Sequence, residues 1–208
     1  MQPFKKRKSL KEMRMDEQEL VRRLKQGDEQ AFEEIVRIYK DKIVNYLWYL
    51  TGDYQKAVEL SQEAFMRVYF KARKYKPIAP FSSWIFAIAS NLAKSELKKM
   101  RRISTVPLEA VQYKIPESSY SHRHKDSDLA RELKKALNAL PPRYKIPVIL
   151  KDIEGFSQEE IAQILKKPLG TIKARISRGR KYLKKELKKS RGESNYLLEK
   201  EEKEYGRV

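Results

Sequence analysis

Residues 168–180 read PLGTIKARISRGR. Pro168 and Gly170 interrupt the chain, Thr171 can cap a new helix, and Ile then alternates with Lys and Arg. Just upstream, Ser157 and Glu160 in SQEEIAQIL stand three residues apart. That is the spacing of a capping box, and it fixes the start of another short helix. Two short helices joined by the turn KKPLG make a helix-turn-helix pattern. Ala162 is small, as a helix crossing close above it requires, and Ile172 plugs the angle between the two. At ~100° per residue, Ile172, Ile176, Gly179 and Leu183 share one stripe. Lys173, Ala174, Ser177, Arg178 and Lys181 fall on the opposite side, while Arg175 and Arg180 flank the stripe. Such a helix suits a DNA major groove. Lys173, Ala174, Ser177 and Arg178 would meet base edges, and the flanking arginines would meet the phosphate walls. The alternative is a solvated basic face. Residues 166–191 hold twelve Lys or Arg against one acid, Glu186. A merely soluble helix would interleave acids, so the imbalance favours DNA.

The whole chain agrees. Its 47 basic residues exceed its 28 acidic ones, for a net charge of +19, which predicts a polyanionic partner. There is no Cys, so disulfides, thiolate zinc sites and Cys nucleophiles are excluded, and a reducing cytoplasm is the expected location. No apolar run approaches the roughly 18 residues of a membrane span, so direct membrane insertion is not expected. The N-terminal MQPFKKRKSLKEMR is basic without a following apolar stretch and reads as a loose arm rather than a signal peptide. His122 and His124 stand together as HRH, without a metal-ligand constellation. No catalytic triad or phosphate loop is present, so neither a cofactor, a metal nor an enzyme is expected.

The expected fold class is all-α. Two small helical domains, an N-terminal bundle and a C-terminal helix-turn-helix, are joined by a flexible linker. Residues 1–15 form the basic arm, 16–102 the first domain, 103–126 the linker, 127–189 the second domain and 190–208 a polar tail. In the first domain Ala31, Phe32, Ile35, Val36 and Tyr39 recur at helical spacing after Asp28, a cap. Asp53 opens a further helix through Ala57, Leu60, Ala64, Phe65 and Val68. The segment FSSWIFAIASNLAKSELKKMRR aligns Trp84, Ile85, Ile88 and Leu92 and ends in a basic cluster. The linker is marked by two prolines, several serines and no sustained period. In the second domain Pro147 lies inside a helical stretch, where it predicts a kink or a later helix start. Lys166 stands at a turn position that costs ~1 kcal/mol if left-handed.

Three stretches in this order resemble the extracytoplasmic-function sigma factors of bacterial RNA polymerase. They are LSQEAFMRVY (60–69), FSSWIFAIASN (81–91) followed by KKMRR, and LPPR with EGFSQEEIA and PLGTIKARISRGR. The resemblance implies a factor that binds core RNA polymerase and promoter DNA, sometimes partnered by an anti-sigma factor. It implies a core-polymerase face at Glu59, Leu60, Gln62, Glu63, Phe65 and Arg67, although Leu60 and Phe65 read equally well as core. It implies that the loop carrying Tyr75, Lys76 and Ile78 takes a flipped base of the −10 strand. Asn91 would pair with a base edge, and Lys94, Ser95, Lys98, Lys99, Arg101 and Arg102 would hold phosphates. Trp84 reads as core or as a wedge at the melting junction. The −35 duplex would fall to Thr171, Lys173, Ala174, Arg175, Ser177, Arg178, Arg180 and Lys181. The competing function is a helix-turn-helix regulator that acts on duplex DNA without polymerase.

Overall fold

The structure, a computed structural model, describes residues 10–104 and 128–190, with side chains placed for 17–100, 102 and 132–189. The described residues form eight α-helices: α1 (Leu10–Lys25), α2 (Glu29–Thr51), α3 (Tyr54–Lys71), α4 (Phe81–Ser104), α5 (Asp128–Ala139), α6 (Pro142–Asp152), α7 (Gln158–Leu165) and α8 (Leu169–Ser190). A single 3-10 turn follows α3. Helix α1 starts within the segment expected to be a loose arm, and α4 takes in the first two residues of the expected linker.

Local chemistry sets the boundaries. Asp28 accepts the Ala31 N–H at 3.0 Å and is itself held by Arg23 Nε at 2.8 Å, so α2 starts where expected. Asp53 caps α3 through the Lys56 N–H at 3.0 Å. Between them Gly52, at φ 78°, ends α2 by donating to Trp48 O. Only a left-handed residue can turn the chain there so tightly, which is a glycine's role. Ser157 and Glu160 make both bonds of the capping box, at 3.1 and 2.8 Å. Lys166 does take the left-handed conformation, at φ 51°, the one non-glycine with positive φ among the described residues. Its N–H donates back to Ala162 O and Gln163 O, which offsets the strain. Pro147 neither breaks nor starts α6, which begins at Pro142 and continues through it.

Helices α1–α4 enclose Ile35, Ile43, Tyr46, Leu47, Leu50, Ile85 and Phe86, each at most 1% exposed. Tyr46 OH and Ser90 Oγ share a buried hydrogen bond of 2.7 Å that ties α2 to α4. Helices α6, α7 and α8 close around Ile149, Leu150, Ile161, Ile164 and Ile172. The two groups are also docked on one another: α4 packs against α7, and α2 against α5 and α6. Phe86 of α4 meets Phe156 edge-on, centroids 4.9 Å apart. Lys145 of α6, 4% exposed, donates its Nζ to Leu50 O at 2.8 Å and to Asn138 Oδ1 at 2.9 Å. It therefore places a cation on the C-terminal carbonyls of α2, where the helix dipole favours one. Burial pushes this ammonium down to about 8.

Candidate nucleic-acid interface

Helix α8 carries the face that decides the chemistry. Ile172 and Ile176 are buried to within 2%, Gly179 is buried and Leu183 half-buried. Lys173, Ala174, Ser177, Arg178 and Lys181 are all exposed, so the helical wheel has the right register. Thr171 is not the cap: α8 opens two residues earlier at Leu169, and Ile172 N–H bonds to Pro168 O at 3.1 Å. Pro168, with φ locked near −65°, directly precedes the first helical residue and supplies its carbonyl to the first turn. Thr171 sits half-buried in the first turn. Arg180 is engaged: its Nε donates to Asp152 Oδ2 at 3.0 Å, and a second N–H reaches the other oxygen. This pair fastens α8 to the end of α6 and leaves the arginine 54% exposed. Arg175 is half-buried.

A close approach seats the helix. A Cβ on Gly179 would stand 2.5 Å from Val148 Cγ2 and 3.3 Å from Tyr144 O. Only glycine lets α8 lie so near α6. Tyr144 and Tyr182 stack alongside, 5.4 Å apart.

On α4, Asn91, Ser95, Lys98 and Lys99 are exposed, and Arg102 is exposed near the helix end. Asn91 Oδ1 accepts from Lys94 Nζ at 3.4 Å, which leaves its amide nitrogen to donate elsewhere. The Arg101 side chain lies outside the described residues. Lys94 is half-buried, and its ammonium is pushed below the usual range, first by burial and then by the charges of Lys167 and Arg175. The two basic surfaces, one on α4 and one at the turn and start of α8, thus abut each other.

The loop before α4 is built differently from a free stacking platform. Tyr75 is only 8% exposed; its OH donates to Ala79 O at 2.6 Å and its ring packs edge-on against Phe81 at 5.3 Å. Lys25 Nζ lies 5.3 Å from the ring centroid. Trp84 is half-buried, 5.2 Å from Tyr75 and 5.5 Å from Phe81, and so belongs to the core margin. Ile78, in contrast, is 84% exposed at the loop tip, next to exposed Lys76. Between this loop and α1 opens a cavity of about 620 Å³, lined by Gln18 and Lys25 on one side and Tyr75 and Ile78 on the other.

On α3, Leu60 and Phe65 are 7% and 6% exposed. They are core, because they share the stripe of Ala57, Ala64 and Val68, and neither can be a contact face. Glu59, Gln62, Glu63 and Arg67 are exposed, with Glu63 and Arg67 paired at 2.5 Å and Glu59 paired with Lys56 at 2.5 Å. The apolar part of this face is instead Met66, 52% exposed, and Phe70, 72% exposed. Gln62, Met66 and Phe70 follow one another at i, i+4, i+8, a spacing that places them on one ridge opposite Ala57. That periodicity was available in the sequence.

Two family models match in chain order, Sigma-70 region 2 over residues 35–103 and Sigma-70 region 4 over residues 130–183. The ECF sigma factor SigW of Bacillus subtilis is 32% identical over 184 residues, covering 81% of this chain and 95% of SigW. The ECF sigma factor SigE of Mycolicibacterium smegmatis is 34% identical over 173 residues, covering 81% of this chain and 67% of that protein. Among solved structures, the sigma factor RpoE of Bartonella quintana, in complex with the anti-sigma factor NepR, superposes with a TM-score of 0.62 at 28% identity. It covers 76% of this chain and 96% of RpoE. CnrH, solved with the cytosolic domain of CnrY, shares the fold at a TM-score of 0.61 and 19% identity, covering 81% of this chain and 95% of CnrH. With an α-helical fold, a basic helix-turn-helix and both sigma regions in order, the chain belongs to the extracytoplasmic-function sigma factors, which direct transcription initiation by RNA polymerase.

Proposed function

We propose that promoter reading is divided between the two halves. Residues 127–189 take the −35 duplex through Lys173, Ala174, Ser177 and Arg178. Residues 16–102 take the −10 single strand through Asn91, Lys98 and the loop at Ile78, and present Gln62, Glu63, Met66, Arg67 and Phe70 to core polymerase. The observation that carries this is the split face of α8: every proposed base-reading residue is exposed, while Ile172 and Ile176 opposite are buried. We assign the chain no catalytic step. A partner of the anti-sigma class, which the Bartonella relative has, is the further one proposed. No helix among the described residues is long and apolar enough to cross a membrane.

The docked arrangement differs from the promoter-bound one. Elements named −35 and −10 lie about 25 base pairs apart, or ~85 Å at 3.4 Å per pair. Lys94 and Arg175, one from each DNA face, are here close enough to feel each other's charge. The halves therefore separate on a promoter.

The test uses the protein bound to core polymerase on two templates, a duplex promoter and the same promoter pre-melted across −10. Arg178→Ala weakens binding to both. Asn91→Ala also weakens both, because its target is the separated strand. If Asn91→Ala leaves the pre-melted template unaffected, the −10 assignment fails.

A further inference from the structure

The cavity beside the −10 loop has a second wall that the loop does not supply. Five of its lining residues, Glu17, Gln18, Val21, Arg22 and Lys25, come from α1. Their polar groups are not equivalent. Glu17 accepts a hydrogen bond from Tyr39 OH. Arg22 is held by Glu19 at 2.6 and 2.8 Å. Lys25 covers the Tyr75 ring. Gln18 alone on this wall offers an exposed carboxamide with no hydrogen-bond partner among the described residues.

The opposite wall is stiff. Pro77 and Pro80 bracket it, Ile78 N–H donates to Lys76 O at 2.8 Å, and Tyr75 OH is bonded to Ala79 O. A cavity of about 620 Å³ in which Val21, Pro77 and Ile78 supply apolar surface and Glu17 and Gln18 supply polar groups suits a heterocycle recognised by its edge. It lies two turns before Asn91 along α4, since Trp84, which packs on Tyr75, and Asn91 are seven residues apart and share a face.

We propose that Gln18 is a specificity-determining residue of the −10 pocket: its carboxamide reads the Watson–Crick edge of a flipped adenine or cytosine. This rests on the assignment of the −10 strand to the loop at Ile78. A carboxamide presents one donor and one acceptor side by side, which matches the acceptor and amino group of adenine or cytosine. The neighbouring fixed acceptor, the Glu17 carboxylate, favours an amino base and opposes the keto oxygens of guanine and thymine. Lys25, on the same wall, answers the adjoining phosphate.

The experiment is run-off transcription with the full chain and core polymerase on a template library randomised across −10, with the transcribed templates sequenced. Three proteins are compared: unmodified, Gln18→Ala and Ile78→Ala. The unmodified protein enriches adenine or cytosine at one position. Gln18→Ala loses about tenfold of that enrichment and leaves the other positions intact, as expected for one lost base contact. Ile78→Ala lowers the same position. If Ile78→Ala alters a −10 position while Gln18→Ala selects as the unmodified protein does, the Gln18 proposal is overturned and the loop assignment stands. Selection of guanine or thymine at that position also overturns it. If neither variant changes any −10 position, the loop assignment itself falls. Gln18 is exposed, so its truncation does not threaten the fold.

Discussion

Gly179→Ala probes whether the seat of the DNA-reading helix is as close as the structure shows. The added methyl would stand 2.5 Å from Val148 Cγ2 and 3.3 Å from Tyr144 O. Val148 is 2% exposed and cannot swing into solvent, so α8 must lift from α6. Overpacking of this kind costs ~1–3 kcal/mol. Alanine is the better helix former by ~1 kcal/mol, which offsets part of it. The expected net loss is ~1 kcal/mol, or about 2–4 °C in melting temperature for a chain of this length. Val148→Ala alone leaves a cavity and also destabilises. Combined, the two changes relieve each other, because the new methyl enters the space the valine left. The double variant should cost less than the sum of the singles by ~1–3 kcal/mol, read from urea unfolding of all four proteins. Simple additivity, or a Gly179→Ala protein more stable than its parent, would refute the close approach.

Phe65→Ala should cost ~3–5 kcal/mol of stability, because the ring is 6% exposed. Phe70→Ala, at 72% exposure, should leave the urea midpoint nearly unchanged but weaken core-polymerase binding in a competition assay. Arg178→Ala should lower discrimination at one −35 base pair by ~1–3 kcal/mol, whereas Arg180→Ala, which also unlatches α8 from Asp152, should weaken all sequences alike. Half-buried Glu154 and buried Lys145 give stability a shallow minimum near neutral pH. Burial raises Glu154 to about 7, with Lys42 opposing, so the folded form resists its ionisation. Stability therefore falls as pH rises from the ordinary carboxylate range to 7 and stays low above it. Lys145, pushed down to about 8, resists its protonation, so stability recovers only as pH climbs from 8 toward the ordinary lysine range. Glu154→Gln should raise the melting temperature at pH 8 and make no difference near pH 4; equal effects at both would exclude titration of Glu154 as the cause.

Local rules wrote much of this fold openly. The Ser157–Glu160 box, the Asp28 and Asp53 caps and the Ile172–Ile176 stripe each depend on neighbours within four residues. What stayed hidden depends on distant partners. Phe86 falls off the apparent stripe of α4 because it serves a second contact, Phe156, seventy residues later. Lys145 looks like a surface lysine until the end of α2 covers it. Thr171 is a good cap by type, yet Pro168 had already started the helix. In the candidate site, the family motif that carries Leu60 and Phe65 does not separate core from contact. Met66 and Phe70 were legible from period alone. The α1 wall of the cavity facing Ile78 was not, since nothing in residues 17–25 announces which loop will face them.

This chain supplies promoter selectivity to core polymerase. Purified core polymerase is given a template carrying a promoter, with and without the protein, and run-off transcripts are measured. A specific transcript should appear only when the protein is present, and should be lost with Arg178→Ala together with Asn91→Ala. A protein that protects the −35 duplex from cleavage by itself, yet yields no specific transcript with core polymerase, would contradict the claim and leave a duplex-binding regulator in its place.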